Sequence, residues 1–401
     1  MVEGFKHTEA GLIPEDWDMK TLGNVGNVKM CKRIFNNQTK ETGTIPFYKI
    51  GTFGKEPDAF ISEELFKTYK RKFSFPKKGD ILISASGTIG RTVIFDGRPS
   101  YFQDSNIIWI DNDEKLVTNE YLYHVYQVAK FNTEGGTIQR LYNDVINSTN
   151  FVLPPTKAEQ TAIATALNDY DALITALVKL IAKKKAIKQG AMQELLKPKD
   201  GWIEKNLGKS AILKARIGWQ GLTTAEYKET GEYFLITGTD FKNGFIDWQN
   251  CVYIEKIRYD QDMNIQVKSN DVLVTKDGTI GKVAFINEVP KPATLNSGVF
   301  VIRPMADSFH PKFFYYILLS EHFAKFLGQL SAGSTINHLY QKDFVTFDFW
   351  IPKTIDEQKE ISEILFDMDS EIEALEQKLE KQKQLKQGMM QVLLTGKTRL
   401  I

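Results

Sequence analysis

The sequence predicts an α+β protein made of two tandem, β-rich mixed domains, each followed by a long helix. The first observation is a repeat: residues 156–196 and 354–394 align without a gap, and their Glu-Gln pairs lie 198 positions apart. The second is helical periodicity within that repeat. The third is a series of β-patterned segments that precedes each copy in the same order. A period near half of a 401-residue chain indicates two copies of one structural unit.

Both copies of the repeat have the pattern of long amphipathic helices. Each opens with a predicted capping box, Thr156 with Glu159 and Thr354 with Glu357, in which two side chains satisfy free N–H groups. The apolar residues then recur at the 3–4 spacing of a coiled-coil seam. They are Ile163, Leu167, Tyr170, Ile174, Leu177 and Ile181 in the first copy, and Ile361, Leu365, Met368, Ile372, Leu375 and Leu379 in the second.

These helices are expected to end at Lys197-Pro198 and Thr395-Gly396, since Pro and Gly are helix stop signals. About 40 residues at 1.5 Å per residue give a length of about 60 Å. Most globular helices run about 8–20 residues, so we expect these two to pair with each other rather than to be ordinary core helices. A parallel pair would set Lys188 against Lys386, which favours an antiparallel coiled coil by a small margin.

The segments before each helix predict strands and turns. Residues 11–23 are echoed by 198–208, with a Trp and a Leu-Gly in each, and the Trp is interpreted as a buried anchor at the domain start. The remaining matched segments are 45–53 with 233–241, 77–95 with 268–286, and 106–110 with 298–302, followed by helical stretches at 120–131 and 311–330 and loops at 135–141 and 333–339. Small-residue turns such as Gly87-Thr88-Ile89-Gly90, identical to residues 278–281, end the strands.

The predicted domain boundaries follow from this order. Residues 1–156 form the first globular domain and 157–197 the central helix, while 198–354 form the second domain and 355–401 the C-terminal helix and tail. The helices match without a gap, whereas the repeat offset drifts across the globular parts. The repeat therefore combines a fixed spacer with two domains that differ in their loops, related by a pseudo-two-fold axis.

Composition predicts an ordinary soluble, cytoplasmic protein. The chain is 42% apolar and 25% charged with a net charge of +1, so a nucleic-acid partner would have to bind a local basic surface. The two cysteines, Cys31 and Cys251, have no metal-ligand spacing and indicate free thiols in a reducing compartment. The N-terminus has no secretory pattern, and no stretch has the length of a membrane span.

No catalytic motif is complete. Gly396-Lys397-Thr398 lacks the first Gly of a phosphate-binding loop, because Gln391 occupies that position. Pro154-Pro155 does not follow the Asn or Asp that an adenine-methyltransferase motif requires, and the five histidines lack zinc spacing. Asp367, Asp369 and Glu371 are interpreted as a solvated helix face rather than a metal site. The sequence therefore predicts a chain without catalytic or metal residues.

Taken together, the ordered double set of motifs resembles the specificity subunit of type I restriction-modification systems. The resemblance lies in the Trp-x4-Leu-Gly domain start, the Asp-Ile/Val-Leu strand before a Gly-Thr-x-Gly turn, the Gly-x-Thr-Ile loop, and the Pro-Pro-x3-Glu-Gln helix start. It covers essentially the whole chain. Lys353 replaces the second proline of the helix start in the second copy.

The resemblance implies two target-recognition domains, each reading one half of a bipartite, asymmetric double-stranded DNA sequence. It also implies antiparallel spacer helices that set the unread gap. The implied partners are modification (methyltransferase) subunits, commonly two, and restriction (motor-nuclease) subunits. S-adenosylmethionine, ATP and Mg²⁺ would be bound by those partners, and this chain would be non-catalytic. A rigid element of about 60 Å can fix half-sites one duplex turn apart, roughly 34 Å.

We expect the DNA contacts to come from loops that carry small, polar and basic side chains, because phosphate contacts position a protein and base-edge contacts specify the sequence. The candidates in the first domain are Lys29, Lys32, Arg33, Lys49, Thr52, Ser84, Ser86, Thr88, Arg91, Gln139 and Arg140. The candidates in the second are Lys214, Arg216, Trp219, Gln220, Thr237, Thr239, Lys276, Thr279, Lys282, Asn337 and His338. The lysine run 183–188 is interpreted either as a contact with the phosphates of the gap or as a solvated helix face.

Two other functions remain open at this stage. One is a scaffold that binds only proteins through its coiled coil, without DNA specificity of its own. The other is a nuclease with a metal site at Asp367 and Asp369. Specific, salt-dependent DNA binding and magnesium-dependent cleavage by the chain alone would separate these alternatives from a DNA-specificity subunit.

Overall fold

The computed structural model describes residues 4–131, 140–330 and 338–400. The chain divides into two compact units, one formed by Met1–Val178 with Gln377–Ile401 and the other by Lys179–Glu376. Each unit therefore contains one globular region and part of each long helix. None of the helices within the described ranges is long and apolar enough to cross a membrane.

The elements up to the end of the first long helix include the predicted segments in their predicted order, together with two helices, Glu63–Lys72 and Asn143–Ser148, that were not predicted. They are β1 (Phe5–Thr8), β2 (Gly11–Pro14), β3 (Asp18–Thr21), β4 (Gly26–Met30), β5 (Ile45–Tyr48), β6 (Phe60–Ile61), α1 (Glu63–Lys72), β7 (Ile81–Ser84), β8 (Thr92–Ile94), β9 (Tyr101–Phe102), β10 (Ile107–Asn112), α2 (Asn119–Val128), α3 (Asn143–Ser148), β11 (Asn150–Leu153) and α4 (Lys157–Leu195).

The same order recurs after the first long helix. The elements are β12 (Ile203–Asn206), α5 (Leu207–Ser210), β13 (Ala211–Ala215), β14 (Tyr233–Ile236), β15 (Phe241–Lys242), β16 (Phe245–Ile246), β17 (Val252–Ile254), α6 (Lys256–Asp260), β18 (Val272–Thr275), β19 (Val283–Phe285), β20 (Ala293–Leu295), β21 (Val299–Pro304), α7 (Pro311–Leu319), α8 (Glu321–Leu330), α9 (Gln341–Phe344), β22 (Asp348–Ile351) and α10 (Ile355–Leu393).

The larger sheet and the smaller mixed sheet have the same topology in both units, whereas among the described residues the β1-β2 hairpin occurs only in the first and the β15-β16 hairpin only in the second. In the first, an antiparallel sheet has the order β4-β10-β7-β8, and in the second the matching sheet has the order β13-β21-β18-β19. A smaller mixed sheet places β5 between β6 and β9, with β5 and β9 parallel, and β14 lies in the same way between β17 and β20. The last strand before each long helix pairs with a strand at the start of its domain, β11 with β3 and β22 with β12. The predicted two-copy α+β fold is confirmed.

One core of each unit lies between the larger sheet and the helices that follow it, and a second lies between the larger and the smaller sheet. Trp17 and Trp202 are both buried, as predicted for the residue that begins each domain. In the first unit Trp17 shares a cluster with Ile163 and Leu167 of α4, and in the second Trp202 shares one with Ile361 and Leu365 of α10. The apolar stripe of each long helix is therefore part of a globular core at the N-terminal end of that helix.

Within each unit the segments of α4 and α10 run antiparallel. In the first unit Lys386 contacts Asp171 at 2.7 Å and Arg399 contacts Glu159 at 2.5 Å, so residue numbers rise on one segment and fall on the other. In the second unit Lys184 contacts Glu371 at 2.6 Å, and Lys188 forms an ion pair with Asp369. The antiparallel direction agrees with the prediction from like-charge avoidance.

The helix starts differ from the predicted capping boxes in one respect. The hydroxyls of Thr156 and Thr354 accept hydrogen bonds from the backbone N–H groups three residues later, as predicted. The Glu159 carboxylate, however, is buried and pairs with Arg399 instead of returning to the helix N-terminus. A charged partner from the C-terminal tail therefore replaces the second half of the first capping box.

The Gln of each Glu-Gln pair explains why the helix start is repeated. Gln160 is buried; its side-chain oxygen accepts from Thr118 N at 2.9 Å, and its amide donates to Leu116 O at 3.2 Å. Gln358 is also buried, and it accepts from His310 N at 2.8 Å and donates to Pro352 O at 2.8 Å. Gln160 therefore joins the start of α4 to the start of α2, and Gln358 joins the start of α10 to the start of α7.

Candidate nucleic-acid interface

The Gly-Thr turns are held by one hydroxyl in each unit. The Ser84 hydroxyl accepts from Arg91 N at 2.8 Å and donates to Thr88 O, while Thr275 accepts from Lys282 N at 2.9 Å and donates to Thr279 O at 2.6 Å. Ser84 and Thr275 are both buried. The expectation that Ser84 contacts DNA is therefore replaced by a structural role, in which it shapes the turn.

The same turns require glycine at both ends. Gly87 and Gly90 have φ values of +67° and +81°, and Gly278 and Gly281 have +68° and +80°. Residues with a side chain rarely adopt these angles, because the Cβ then crowds the following carbonyl oxygen. The turns leave Thr88 and Thr279 exposed at their tips, so both predicted threonines are accessible to a ligand.

A second turn follows the central strand of each mixed sheet. Lys49 N donates to the Thr52 hydroxyl at 3.1 Å, and Thr237 N donates to the Asp240 carboxylate at 2.7 Å. Thr52 therefore corresponds to Asp240, one position beyond the Thr239 that the sequence repeat pairs with it. Burial raises the pKa of the Asp240 carboxyl, opposed by hydrogen bonds from Thr237.

The residues that end the predicted Gly-x-Thr-Ile loops lie next to these turns. Arg140 forms a β-bridge with Ser86, and His338 forms the equivalent bridge with Asp277. The Ser86 hydroxyl donates to the Asn106 side chain at 2.9 Å, and Arg140 approaches the same oxygen at 3.5 Å. The candidates Gln139 and Asn337 lie outside the described residues.

In the first unit these loops surround an open groove of about 320 Å³. It contains three of the predicted residues, Arg33, Lys49 and Arg140. The other lining residues are Ile34, Phe35, Asn36, Thr39, Phe47, Gln103, Asp104, Ser105 and Asn106. Arg33 forms an ion pair with Asp104 at 2.8 Å. The groove thus combines cations with amide groups, which are the donors and acceptors that read base edges.

The matching loop of the second unit presents a different surface. Trp219 is 81% exposed, and the backbone oxygen of its neighbour Gln220 accepts from Arg258 at 3.1 Å. Arg216 is buried, and its guanidinium donates to Leu295 O, Arg258 O and the side chains of Gln261 and Thr294. The expectation that Arg216 contacts DNA is therefore replaced by a structural role, in which it fixes the base of the Trp219 loop.

Burial shifts the pKa of one side chain at the start of each of these loops. It lowers the pKa of the Arg216 guanidinium, with a further contribution from the neighbouring Arg258 charge. Cys31 takes the place after β4 that Arg216 takes after β13, and burial raises its pKa to about 12. Cys251 is also a buried free thiol. Neither cysteine is a reactive thiolate near neutral pH.

The remaining predicted residues lie around this surface with different degrees of exposure. Lys32, Lys214, Thr239 and Lys282 are exposed, whereas Lys29, Arg91 and Lys276 are half-buried. Lys32 lies over the Phe73 ring at 5.3 Å, Lys276 lies over the Phe300 ring at 5.3 Å, and Arg91 donates to Phe53 O at 3.0 Å. Of the predicted residues, Arg33, Lys49 and Arg140 therefore line the groove together, whereas the others lie outside its lining.

The polar segment between β9 and β10 was not among the predicted site residues. Gln103, Asp104 and Asn106 line the groove, and Gln103 also accepts from Ile50 N at 2.9 Å. In the second unit the matching segment begins with Asn296, which accepts from Leu222 N at 3.0 Å. A polar run that precedes the same strand in both copies was the signal available in the sequence.

The charged residues of the long helices take part in ion pairs. Lys184, Lys185 and Lys188 pair with Glu371, Glu376 and Asp369, respectively, within the second unit. Asp369 and Glu371 therefore have cationic partners in the suggested metal position. Across the described ranges, no group of three or more His, Cys, Asp or Glu residues is arranged to hold a metal ion.

Comparison with known proteins gives consistent matches. The profile described as "Type I restriction modification DNA specificity domain" matches residues 14–189 and again 220–386. A putative type I restriction enzyme specificity subunit of Haemophilus influenzae is 65% identical over 157 residues, which is 39% of this chain and 40% of that protein. The MjaVIII specificity subunit of Methanocaldococcus jannaschii is 25% identical over 99% of this chain and 96% of its own length.

Solved structures match the fold over nearly the whole chain. The crystal structure of a type I restriction-modification S subunit from M. genitalium has a TM-score of 0.63 at 16% identity, covering 98% of this chain and 99% of that one. A chain from a structure concerned with complex assembly and conformational transition of the type I R-M system has a TM-score of 0.55 at 15% identity, covering 96% and 99%.

Proposed function

The chain belongs to the type I restriction-modification DNA specificity family, and from that premise we propose that it reads a bipartite double-stranded DNA target. Each unit reads one half of the target through the major groove, and the paired long helices set the number of unread base pairs between the halves. The observation that carries the proposal is the first-unit groove, where Arg33, Lys49 and Arg140 meet Gln103 and Asn106.

The chemistry of that groove fits base recognition. Arginine donates two hydrogen bonds to guanine O6 and N7, and asparagine or glutamine pairs with adenine N6 and N7. Arg140 and Asn106 lie within 3.5 Å of each other, so neighbouring base pairs could be read by adjacent side chains. Exposed lysines such as Lys32 supply the phosphate contacts that position the protein.

The two halves of the target are different sequences under this proposal. At matching positions the units carry Ser86 and Asp277, and Arg140 and His338. Lys49 and Thr237 occupy matching turns. Equivalent positions in the two units therefore carry different hydrogen-bonding groups. One chain with two unlike reading surfaces recognises an asymmetric target.

The proposed role is non-catalytic and belongs to a larger assembly. Two methyltransferase (modification) subunits, with restriction (motor-nuclease) subunits where these are present, supply the chemistry. S-adenosylmethionine, ATP and Mg²⁺ are bound by those partners, and the assembly works in the cytoplasm. The names of the full-length relatives, which are type I restriction enzyme specificity subunits, support this assignment.

Exchange of one domain tests the assignment of units to half-sites. Residues 1–156 are replaced by the recognition domain of another family member, and adenine methylation is mapped in a host that carries the methyltransferase partner. We expect one half of the methylated sequence to change completely and the other to remain. Replacement of 198–354 is the matched control and should change the opposite half. A change in both halves, or in neither, would contradict the proposal.

Single substitutions in the groove test the reading residues themselves. Arg140→Ala should weaken binding of the mapped target by about 1–3 kcal/mol and relax the preference at one base pair. Lys67→Ala is the control, since Lys67 is exposed on α1 and pairs with Glu63. Gel shifts of the chain with its methyltransferase partner, over a range of salt, measure both effects. A wild-type complex without sequence preference at any salt would instead support a protein-binding scaffold.

A further inference from the structure

An exposed aromatic ring occurs in the loop after the first strand of the large sheet in both units. Phe35 follows β4 and is 58% exposed, and Trp219 follows β13 and is 81% exposed. Single exposed apolar residues are common on protein surfaces. Both rings lie in the loop that joins the first strand of the large sheet to the central strand of the small sheet, and this shared loop indicates a shared role. Their positions within the loop differ, because the capping box of Phe35 with Gln38 is matched in the second unit by Thr223 with Glu226.

Both rings are held on ordered loops. Phe35 N donates to the Gln38 side chain at 2.9 Å, and Phe35 O accepts from Gln38 N at 2.9 Å. The Trp219 loop is closed by a bond from Gly221 N to Gly218 O at 3.0 Å and is anchored by Arg258. A ring fixed in this way loses little conformational freedom on binding, which favours its use as a contact.

The surroundings of Phe35 are polar and cationic, whereas Trp219 lies on a loop that also carries the exposed Ile217. Phe35 lines the same groove as Arg33, Lys49 and Arg140. The loop after Trp219 is joined to the polar segment before β21, because Leu222 N donates to the Asn296 side chain. Aromatic anchors of protein interfaces usually lie at the centre of an apolar patch depleted of charge. A ring among cations and amides, as Phe35 is, fits a nucleic-acid surface better.

We infer that Phe35 and Trp219 make matched apolar contacts with DNA bases, each within the half-site that its own unit reads. This inference rests on the proposed function and deepens it. Aromatic and other apolar side chains contact the thymine methyl in the major groove, or insert against a base step as a wedge. Each ring contributes an apolar contact with the bases, beside the polar groups that read base edges and the exposed lysines that hold the phosphates.

The experiment measures binding of the chain with its methyltransferase partner to a duplex that carries the methylation-mapped target. Phe35→Ala and Trp219→Ala should each weaken binding roughly 5- to 100-fold, the range found when a ring that contacts a base is truncated. Trp219→Phe should recover most of the affinity. Trp350→Ala and Val128→Ala are the controls, because both side chains are exposed apolar groups outside these loops, on β22 and α2.

Salt dependence separates the ring from its cationic neighbours. An apolar contact releases no counterions, so the slope of log K against log salt should equal that of the wild type in both ring variants. Base substitutions in the target should further show that Phe35→Ala alters preference in one half-site only, and Trp219→Ala in the other. Arg140→Ala is measured in parallel as a test of the proposed function.

Three results would overturn the inference. The first is wild-type affinity in both ring variants while Arg140→Ala loses specificity, which would leave the proposed function intact. The second is a reduced salt slope in the ring variants, which would show that the rings only support phosphate-binding cations. The third is loss of methyltransferase co-purification without loss of DNA affinity in the remaining complex, which would identify the rings as a protein contact.

Discussion

The two units share a hydrogen-bonded frame but differ in the groups that the frame presents. Ser84 and Thr275 close the same turn with the same bonds, and Gln160 and Gln358 fasten the same helix start. Next to these bonds, Arg140 in one unit is matched by His338 in the other. Framework positions are thus maintained by buried polar groups, whose loss is costly, while exposed positions can vary freely.

The ion pairs of the long helices are likewise shared by the two units, while the groups around them differ. Lys386 pairs with Asp171 in the first unit and Lys188 pairs with Asp369 in the second, at positions 198 apart in the chain. Each pair has one further hydrogen-bond partner, and the two partners differ. In the first unit Lys386 also donates to Gln127, whereas in the second unit Asp369 also accepts from Tyr316 at 2.8 Å. The pair is common to both units, but its exposure is distributed differently. Lys188 and Asp369 are 17% and 16% exposed, whereas Lys386 is 11% and Asp171 is 36% exposed.

The largest difference between the units should come from removing these carboxylates. Asp369→Asn leaves the Lys188 charge nearly buried without its counter-ion, and we expect the second unit to lose about 3 kcal/mol of stability. Asp171→Asn should cost the first unit less, about 2 kcal/mol, because Lys386 keeps Gln127 as an acceptor although its own side chain is only 11% exposed. Hydrogen exchange, read separately for peptides of each unit, measures both losses.

Glu371→Gln is the control for that measurement. Its partner Lys184 is one-third exposed and Glu371 about half exposed, so the change should cost less than about 0.5 kcal/mol. Equal losses for Asp369→Asn and Asp171→Asn would show that the Gln127 acceptor does not offset the loss of the carboxylate beside Lys386.

The glycine turns give a smaller effect that should recur in both units. Gly281→Ala places a side chain at φ +80° and against Leu327, and we expect a loss of about 2 kcal/mol. Gly90→Ala meets the Phe131 ring at 3.2 Å at the same kind of φ and should cost a similar amount.

The first glycine of each turn is the matched control. Gly278→Ala has open space and Gly87→Ala meets Ile50 only at an ordinary 3.7 Å, so each should cost about 1 kcal/mol from backbone strain alone. Denaturant unfolding, with m-values checked, compares the four variants. A greater loss at the first glycine than at the second in either unit would contradict this account of the turns.

The repeated helices and turns could be predicted from the sequence far better than the groove that forms the candidate DNA-binding site. The gapless helix repeat, its antiparallel direction and the Gly-Thr turns follow from local patterns and charge avoidance, so they could be predicted. The groove is assembled from Arg33, Asn106 and Arg140, which are distant in the chain and are brought together by sheet pairing. The burial of Arg216 could not be anticipated either, because a basic residue after a strand has the same sequence pattern whether it points outward or inward.

The smallest predicted difference concerns acid sensitivity. His124 is fully buried in the first unit, and desolvation lowers its pKa; the Lys386 charge adds to this, while Asn168, Asp171 and the backbone of Ala164 oppose it. His310 in the second unit is only half-buried, and its pKa is lowered by desolvation and by Lys312 and Lys359, with Glu363 opposing. Both histidines therefore favour the neutral form in the folded chain.

Each histidine thus binds its proton more readily in the unfolded chain than in the folded one. Its contribution to stability is present above the unfolded pKa of about 6.5 and is lost as pH falls below it, by at most about 1.4 kcal/mol per pH unit for one group. We expect the first unit to lose more stability than the second between pH 7.5 and 5.5. His124→Gln should remove most of that excess, whereas His7→Gln, on an exposed position, should not. Hydrogen exchange at the two pH values, corrected for intrinsic rates, tests this, and an equal acid loss in both units would rule out burial of His124 as its cause.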